Sequence, residues 1–423
     1  MLATAEIIHE AAMPHRLAEL LPSWLQEVPL YQGYAKAFGP QGEPIHPEVL
    51  KYFPLITKQD IRRDFPKNFL KQGTELQDLL DQELVEVEHT SGTSEARTPL
   101  LLELGWWSEQ ESKVLRLNPF VARVLDEIPN PRRVTTNSPM CSNDIRYTGV
   151  PSRDERIVGN SLFSSLSRLP FLWSETDLAR MAAEAEEWDP VFLDVDPVYG
   201  VVFAQYCERH GIRLPSLRFI IASYEYVSVV HRRILERVFK VPVFNLYGST
   251  ETGHLLMESE SGWMKPAAEA AVLQVINEDE QNTGDLVVTT LTNKYMPLIR
   301  YRIGDLVMKK TEPYGTRYLV HGRAADAVRK PDGTRATVWH IDHCFSDLIG
   351  VAHYQLVEQS ERDFSLRFVP DREGPDRVTI SAIRERLGRV LDCGERLVVE
   401  PTDLLMPESS GKFRLSYPAP EAK

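Results

Sequence analysis

The sequence predicts an α/β protein, with a large N-terminal domain built on mainly parallel sheets and a smaller α+β domain after it. Three observations predict this. Short apolar runs at 190–195, 217–222 and 241–246 alternate with helical stretches, the pattern of a parallel sheet with helices on both faces. Residues 260–310 change to short strands joined by turns, at 272–276, 284–290 and 300–302. Residues 351–405 then read as strands at 354–358, 364–369 and 396–400 around a helix at 378–391.

Composition narrows the function. The chain has 423 residues, enough for two or three domains. Acids outnumber bases 61 to 48, a net charge of −13, which argues against nucleic acid or an anionic membrane as partner. The four cysteines, Cys141, Cys207, Cys344 and Cys393, are far apart and form no C-x-x-C pair, so no zinc site is expected. Residues 1–30 show no basic start followed by an apolar block, and no run reaches the ~18 apolar residues of a membrane span. A cytoplasmic, reduced protein is expected, and a homodimer is left open.

Along the chain, Leu17, Leu20, Leu21 and Leu25 recur at helical spacing. Gly39-Pro40-Gln41-Gly42 reads as a turn, and Thr57 as the N-cap of a short helix. Residues 84–89 alternate like a strand and deliver Thr90, Ser91, Gly92, Thr93 and Ser94 into a loop. Hydroxyls and free N–H groups around a glycine make a nest for phosphate oxygens. His89 reads as a structural, hydrogen-bonded histidine. No G-x-x-x-x-G-K-[ST] and no G-x-G-x-x-G occurs, which removes a P-loop kinase and a dinucleotide-binding oxidoreductase. Ser108 to Glu111 reads as a capping box opening a helix. Asp194 and Asp196 resemble a catalytic pair, but Asp196 before Pro197 is better explained as a helix cap. Ser223, Tyr224 and Glu225 follow the strand at 217–222.

The strand at 241–246 ends in Asn245, Tyr247, Gly248, Ser249, Thr250, Glu251, Thr252 and Gly253. Ligands bind beyond the carboxyl ends of such strands. Tyr247 offers a flat face for a base, the hydroxyls suit phosphate or carboxylate oxygens, and Glu251 is a hard oxygen ligand for Mg²⁺. Asp305, after Gly304, is placed to accept from vicinal hydroxyls.

Taken in order, His89 to Ser94, Asn245 to Gly253, Tyr301 to Leu306, Gly322-Arg323 and Ser410-Gly411-Lys412 resemble the signatures of the adenylate-forming (acyl-CoA synthetase) superfamily, and within it the phenylacetate-CoA ligase-like branch. Pro54 to Asp60 resembles that branch's P-x-x-x-K-x-D stretch. The likeness runs from about residue 50 to Lys412. It implies a large adenylation domain at 1–321, with a small β-barrel subdomain, and a mobile lid at 322–423 carrying a catalytic lysine, Lys412. It further implies that Thr250 and the loop from Thr90 to Ser94 hold phosphates. Asn245, Tyr247 and the turn Ser223-Tyr224-Glu225 would shape the adenine slot. Asp305 and Arg323 would take the ribose, and Glu251 the Mg²⁺.

The sequence departs from the family at three places. Glu95-Ala96-Arg97 stands where the loop has Gly then Lys-Pro, with Arg97 the substitute cation. Tyr224 is bulkier than the family residue, and Ala325 stands at the acidic hinge. The function implied is ATP-dependent activation of an aryl or arylacetate-type acid to its adenylate, with transfer to coenzyme A. Two alternatives stay open: transfer to a carrier protein or an amine in secondary metabolism, and a binding protein that has lost turnover.

Overall fold

The structure is a computed structural model, and it describes residues 2–37, 47–90, 97–137, 151–313, 315–360, 362–408 and 411–419. The turn expected at Gly39 to Gly42 lies outside them. The chain divides into two compact units, Met1–Ala122 with Leu246–Leu319, and Arg123–Asn245 with Val320–Lys423. The segment expected to form a lid is thus grouped with residues 123–245.

In the first unit, helix Leu2–Glu27 turns Leu17, Leu21 and Leu25 inward, as their spacing predicts, with Leu20 partly buried against them and Trp24 buried beside them. They join one core with Phe53, Ile56, Leu100, Leu101, Met296, Leu298 and Tyr301. Strands Val85–His89 and Pro99–Glu103 pair antiparallel, and His89 lies exposed at the strand's end, paired there with Pro99. Strands Ala271–Ile276, Thr283–Thr290 and Tyr301–Glu312 also pair antiparallel, as do Gly253–Glu258 and Met264–Pro266. The mainly parallel pairing expected of the large domain therefore does not extend here. The short turns between these strands permit only antiparallel neighbours, since a parallel pair needs a long crossover.

Helix Trp106–Leu115 begins two residues before Ser108, so Ser108 is not its cap. Gly105, at φ 79°, ends the preceding chain instead. Burial of Trp106 decides the start: its ring packs beneath Gly253, and its Nε1 donates to Thr292 Oγ1 at 3.0 Å. Burying an indole with its N–H satisfied outweighs a cap's ~1 kcal/mol.

In the second unit the parallel order is realised. Ser161–Phe163, Arg133–Thr135, Phe192–Val195, Phe219–Ala222 and residues 243–245 lie side by side, all parallel. Helices Glu175–Trp188, Pro197–His210 and Val229–Phe239 make the crossovers. Leu193, Val195, Phe219 and Ile220 are buried, as strands covered on both faces require. Asp196 caps the helix that opens at Pro197, accepting from Val198 N at 3.0 Å and Tyr199 N at 3.4 Å. Residues 351–417 add a four-stranded sheet, ordered Leu397–Pro401, Asp363–Pro370, Val351–Ser360, Ser416–Tyr417, with helix Arg377–Leu391. Ala352 and Val369 of this sheet pack into the core under the parallel strands, and Val230 into the sheet's own core. Cys207, Cys344 and Cys393 are buried free thiols. Among the described residues no helix is long and apolar enough to cross a membrane.

Candidate active site

The expected site residues divide between the two units. In the first, strand Val243–Ser249 runs through part of the stretch that the sequence reads as a loop, and residues 246–249 pair antiparallel with Gly253–Glu258. The reversal is tight: Thr252 N donates to Ser249 O at 3.1 Å, and the two side-chain hydroxyls bond at 3.0 Å. Gly248 has no substitute, because a Cβ there would lie 2.3 Å from the Gly253 carbonyl oxygen. Thr250 is half-buried at the tip.

Glu251 is buried within this reversal, at 4% exposure. Its Oε1 lies 3.1 Å from Lys58 Nζ and accepts from the Tyr301 hydroxyl at 2.9 Å. Burial by itself pushes this carboxyl up. The Lys58 ammonium, the residue's own N–H and the Tyr301 hydroxyl outweigh it, so Glu251 is held below the usual carboxylate range. Burial and then the Glu251 charge push the Tyr301 phenol far up, so it stays a donor. Glu251 is thus ionised at neutral pH. Beside it, the Tyr247 hydroxyl donates to Asp305 Oδ2 at 2.7 Å. The residue expected to face the base and the one expected to take the ribose are tied to each other.

Thr90 is buried, and its hydroxyl accepts from Thr98 N at 3.1 Å while its own N–H donates to Thr98 O at 3.0 Å. That side chain closes the base of the expected phosphate loop. Ser91, Gly92, Thr93 and Ser94 lie outside the described residues, as do Glu95 and Ser410. Arg97 is described and exposed.

In the second unit, Asn245 pairs with Ala222 across the parallel ladder. Ser223 Oγ donates to Asp194 Oδ1 at 2.8 Å, and the Tyr224 hydroxyl donates to Asp194 Oδ2 at 3.1 Å. Tyr224 sits at φ 72°, a costly region for a bulky residue. The bond to buried Asp194 offsets that strain. Glu225 Oε1 accepts from Phe413 N at 2.7 Å. Desolvation and then the neighbouring Asp196 charge push the Glu225 carboxyl well above its ordinary range, with Lys412 and Arg323 pulling it down. Burial pushes Asp196 up to about 7, against its two helix N–H bonds and the Lys412 ammonium. Arg323 itself is exposed. At the hinge position Ala325 supplies only its carbonyl, to Arg414 at 3.4 Å, while Asp326 forms the ion pair with Arg414 at 2.7 Å.

Sequence reasoning missed Lys58 and Tyr301 as partners of Glu251. Lys58 stands in the P-x-x-x-K-x-D stretch and Tyr301 opens the stretch that holds Asp305, which was the available signal.

Glu251 Oε1 is engaged by Lys58 and Tyr301, so a cation would be met by the remaining lone pairs of one carboxylate. Among the described residues no cluster of three or more potential ligands occurs. A single ionised carboxylate suits an ion that takes one or two carboxylates and draws its other oxygens from substrate phosphates and water.

No model of a protein family matches the chain, and neither does any curated protein. Solved structures do. A 2-hydroxyisobutyryl-CoA ligase in the postadenylation state, in complex with R3-HIB-AMP, is similar over 96% of this chain and 88% of its own, at TM-score 0.69 and 17% identity. The anthranilate CoA ligase AuaEII in complex with anthranoyl-AMP is similar over 77% of this chain and 65% of its own, at TM-score 0.54 and 12% identity. McyG A-PCP complexed with phenylalanyl-adenylate is similar over 83% and 68%, at TM-score 0.50 and 13% identity. At these identities the likeness is one of fold, and the chain has the fold of the adenylate-forming CoA ligases and adenylation domains.

Proposed function

We propose that the protein activates a carboxylic acid with ATP and passes the acyl group to coenzyme A. The observation that carries this reading is Glu251, a buried carboxylate held ionised at the end of strand Val243–Ser249 in a chain folded as these ligases are. The acid's carboxylate oxygen attacks the α-phosphorus, the bond to the β-phosphate breaks, and pyrophosphate leaves. The coenzyme A thiol then attacks the acyl carbon, loses its proton, and AMP leaves.

The first barrier is charge repulsion between carboxylate and triphosphate, so positioning and neutralisation do the catalysis. Glu251 would hold a Mg²⁺, which when bound neutralises phosphate charge. Lys58 and Tyr301 fix the Glu251 carboxylate in place. Thr250, Ser249, Arg97 and the loop from Thr90 to Ser94 would hold phosphate oxygens. Tyr247, Gly248, Asn245 and the turn at Ser223 to Glu225 would shape the base slot, with Asp305 and Arg323 on the ribose. Lys412 would supply its ammonium where carboxylate meets α-phosphate. The motif likeness to the phenylacetate-CoA ligase branch supports an aryl or arylacetate acid. The segment at 322–423 would act as the lid of a large domain at 1–321.

The test is ATP-dependent pyrophosphate release over a panel of aryl and arylacetic acids, then acyl transfer to free coenzyme A or to a carrier protein. Release with at least one aromatic acid and transfer to free coenzyme A is expected. ATP binding with no release for any acid would leave a binding protein. Release with transfer only to a carrier protein or an amine would move the acceptor.

A further inference from the structure

We propose that Glu225 is a positioning residue, which seats the tail at 411–413 and thereby fixes Lys412 at the carboxyl edge of the parallel strands. The role is carried by the Glu225 side chain acting through the tail, separately from any part its turn plays in the base slot, and it rests on the reading that the chain forms an adenylate.

Asp196 directly follows strand Phe192–Val195, and Glu225 lies just beyond the neighbouring strand Phe219–Ala222. Val195 and Ala222 are register partners, so the two acids share one edge of the sheet. In such sheets that edge is where ligands bind. Asp196 cannot swing away, because its Oδ1 is held by the first N–H groups of helix Pro197–His210. Glu225 Oε1 grips the backbone N–H of Phe413 at 2.7 Å.

The rest of the seat holds the backbone on both sides of Lys412. Phe413 is 6% exposed, clustered with Val198 and Tyr199, and edge-on to Phe171 at 5.7 Å and to His353 at 5.3 Å. Gly411 sits at φ 84° against Arg168, where a Cβ would come within 3.0 Å of Arg168 Cδ. Lys412 O accepts from Glu408 N at 2.8 Å, and Gly411 N donates to Glu408 O at 2.8 Å. A lysine in an ordinary tail is solvated and mobile. This one has both flanking residues packed, and its charge favours the ionised forms of Asp196 and Glu225.

The experiment compares Glu225→Ala and Glu225→Gln with the wild type by two readouts. The first is amide hydrogen exchange of the peptide covering 411–417, which needs no activity. The second is the pair of half-reactions, pyrophosphate release from ATP plus acid and consumption of synthetic acyl adenylate with coenzyme A. Glu225→Ala is expected to speed exchange in that peptide alone and to lower adenylation about tenfold, as leaving the Phe413 N–H without its acceptor does. Transfer from preformed adenylate should stay near wild type. Glu225→Gln keeps an acceptor oxygen and should restore most of both.

Unchanged exchange in Glu225→Ala overturns the seat. Faster exchange with adenylation intact, or equal loss of both half-reactions, reduces Glu225 to a structural residue and overturns the positioning role. A wild type that releases no pyrophosphate defeats the adenylation reading, and with it the catalytic meaning of the seat. The exchange result then still decides whether Glu225 holds the tail.

Discussion

The ammonium of Lys58 lies 3.1 Å from the carboxylate of Glu251, a half-exposed cation joined to a buried acid from a distant part of the chain. The pair explains how a carboxylate can be both buried and ionised. Glu251→Gln should lower adenylation by on the order of a hundredfold or more, the scale of one electrostatic stabiliser, with thermal unfolding little changed. Lys58→Met leaves the acid without its cation, so its pKa should rise. That variant should lose activity on the acid side at a higher pH than wild type and need more Mg²⁺. Pyrophosphate release across pH and Mg²⁺ measures both, and near-wild-type turnover of Glu251→Gln at ordinary Mg²⁺ removes Glu251 from the mechanism.

Arg97 is exposed just beyond the expected phosphate loop. If it replaces the family's lysine, Arg97→Ala should raise the apparent KM for ATP several-fold, about what one surface charge contact supplies. Glu95→Gly should lower that KM, since it would remove an acid from the loop proposed to hold phosphates. ATP titrations of both variants decide. An unchanged ATP dependence in Arg97→Ala ends the substitution idea.

In the proposed reaction Lys412 would act where the acid's oxygen meets the α-phosphate, and that charge is no longer the obstacle once the adenylate exists. An interaction made in one transition state affects only that step. Lys412→Ala should therefore lose adenylation by on the order of a hundredfold or more while consuming synthetic adenylate with coenzyme A at a comparable rate. Equal loss in both assays would mean that Lys412 serves the fold. Full adenylation activity would mean that the tail motif does not carry the chemistry.

Folding raises the Asp196 carboxyl from its ordinary 3.8 to about 7, burial being the main cause. Lys412, Glu225 and the first turn of helix Pro197–His210 face it. Below its unfolded pKa the group is protonated in both states and costs nothing. As the pH rises toward about 7 the unfolded chain ionises first, and the folded state loses stability. Asp196→Asn keeps a good helix cap and removes that titration. A tenfold difference in proton affinity between the folded and unfolded chain corresponds to about 1.4 kcal/mol, so the variant should gain on the order of 2 kcal/mol or more over wild type between acid and mildly alkaline pH. Urea unfolding at both extremes checks it, and a constant difference between the two proteins would contradict the burial argument.

Local features were legible in the sequence. The apolar spacing of Leu17, Leu21 and Leu25 and the cap at Asp196 follow from nearest neighbours, and both are present. The parallel strands at 192–195, 219–222 and 243–245 were legible from apolar runs alternating with helices. What the sequence withheld is long-range. The stretch around Lys58 marks that residue without naming Glu251 as its partner, and nothing near Tyr247 announces Asp305, because those pairings depend on how separate segments pack. Ser108 misled for the same reason: burial of Trp106 set the helix start, and a local cap lost to it. Tyr224 is bulky for its turn, and the long-range tether that accommodates it, to Asp194, has no local signal.

The buried thiols have a practical side. Burial pushes Cys207 up to about 12 and Cys344 up to about 11, and raises Cys393 as well. At neutral pH hardly any of the reactive thiolate exists at these positions, so a maleimide dye has little to attack there. A cysteine introduced at Val378, which is 77% exposed, would take up the dye against a nearly silent background. Cys141, outside the described residues, is the one native thiol to exchange for serine first. With that single change the molecule supplies its own blank for fluorescence work on residues 322–423.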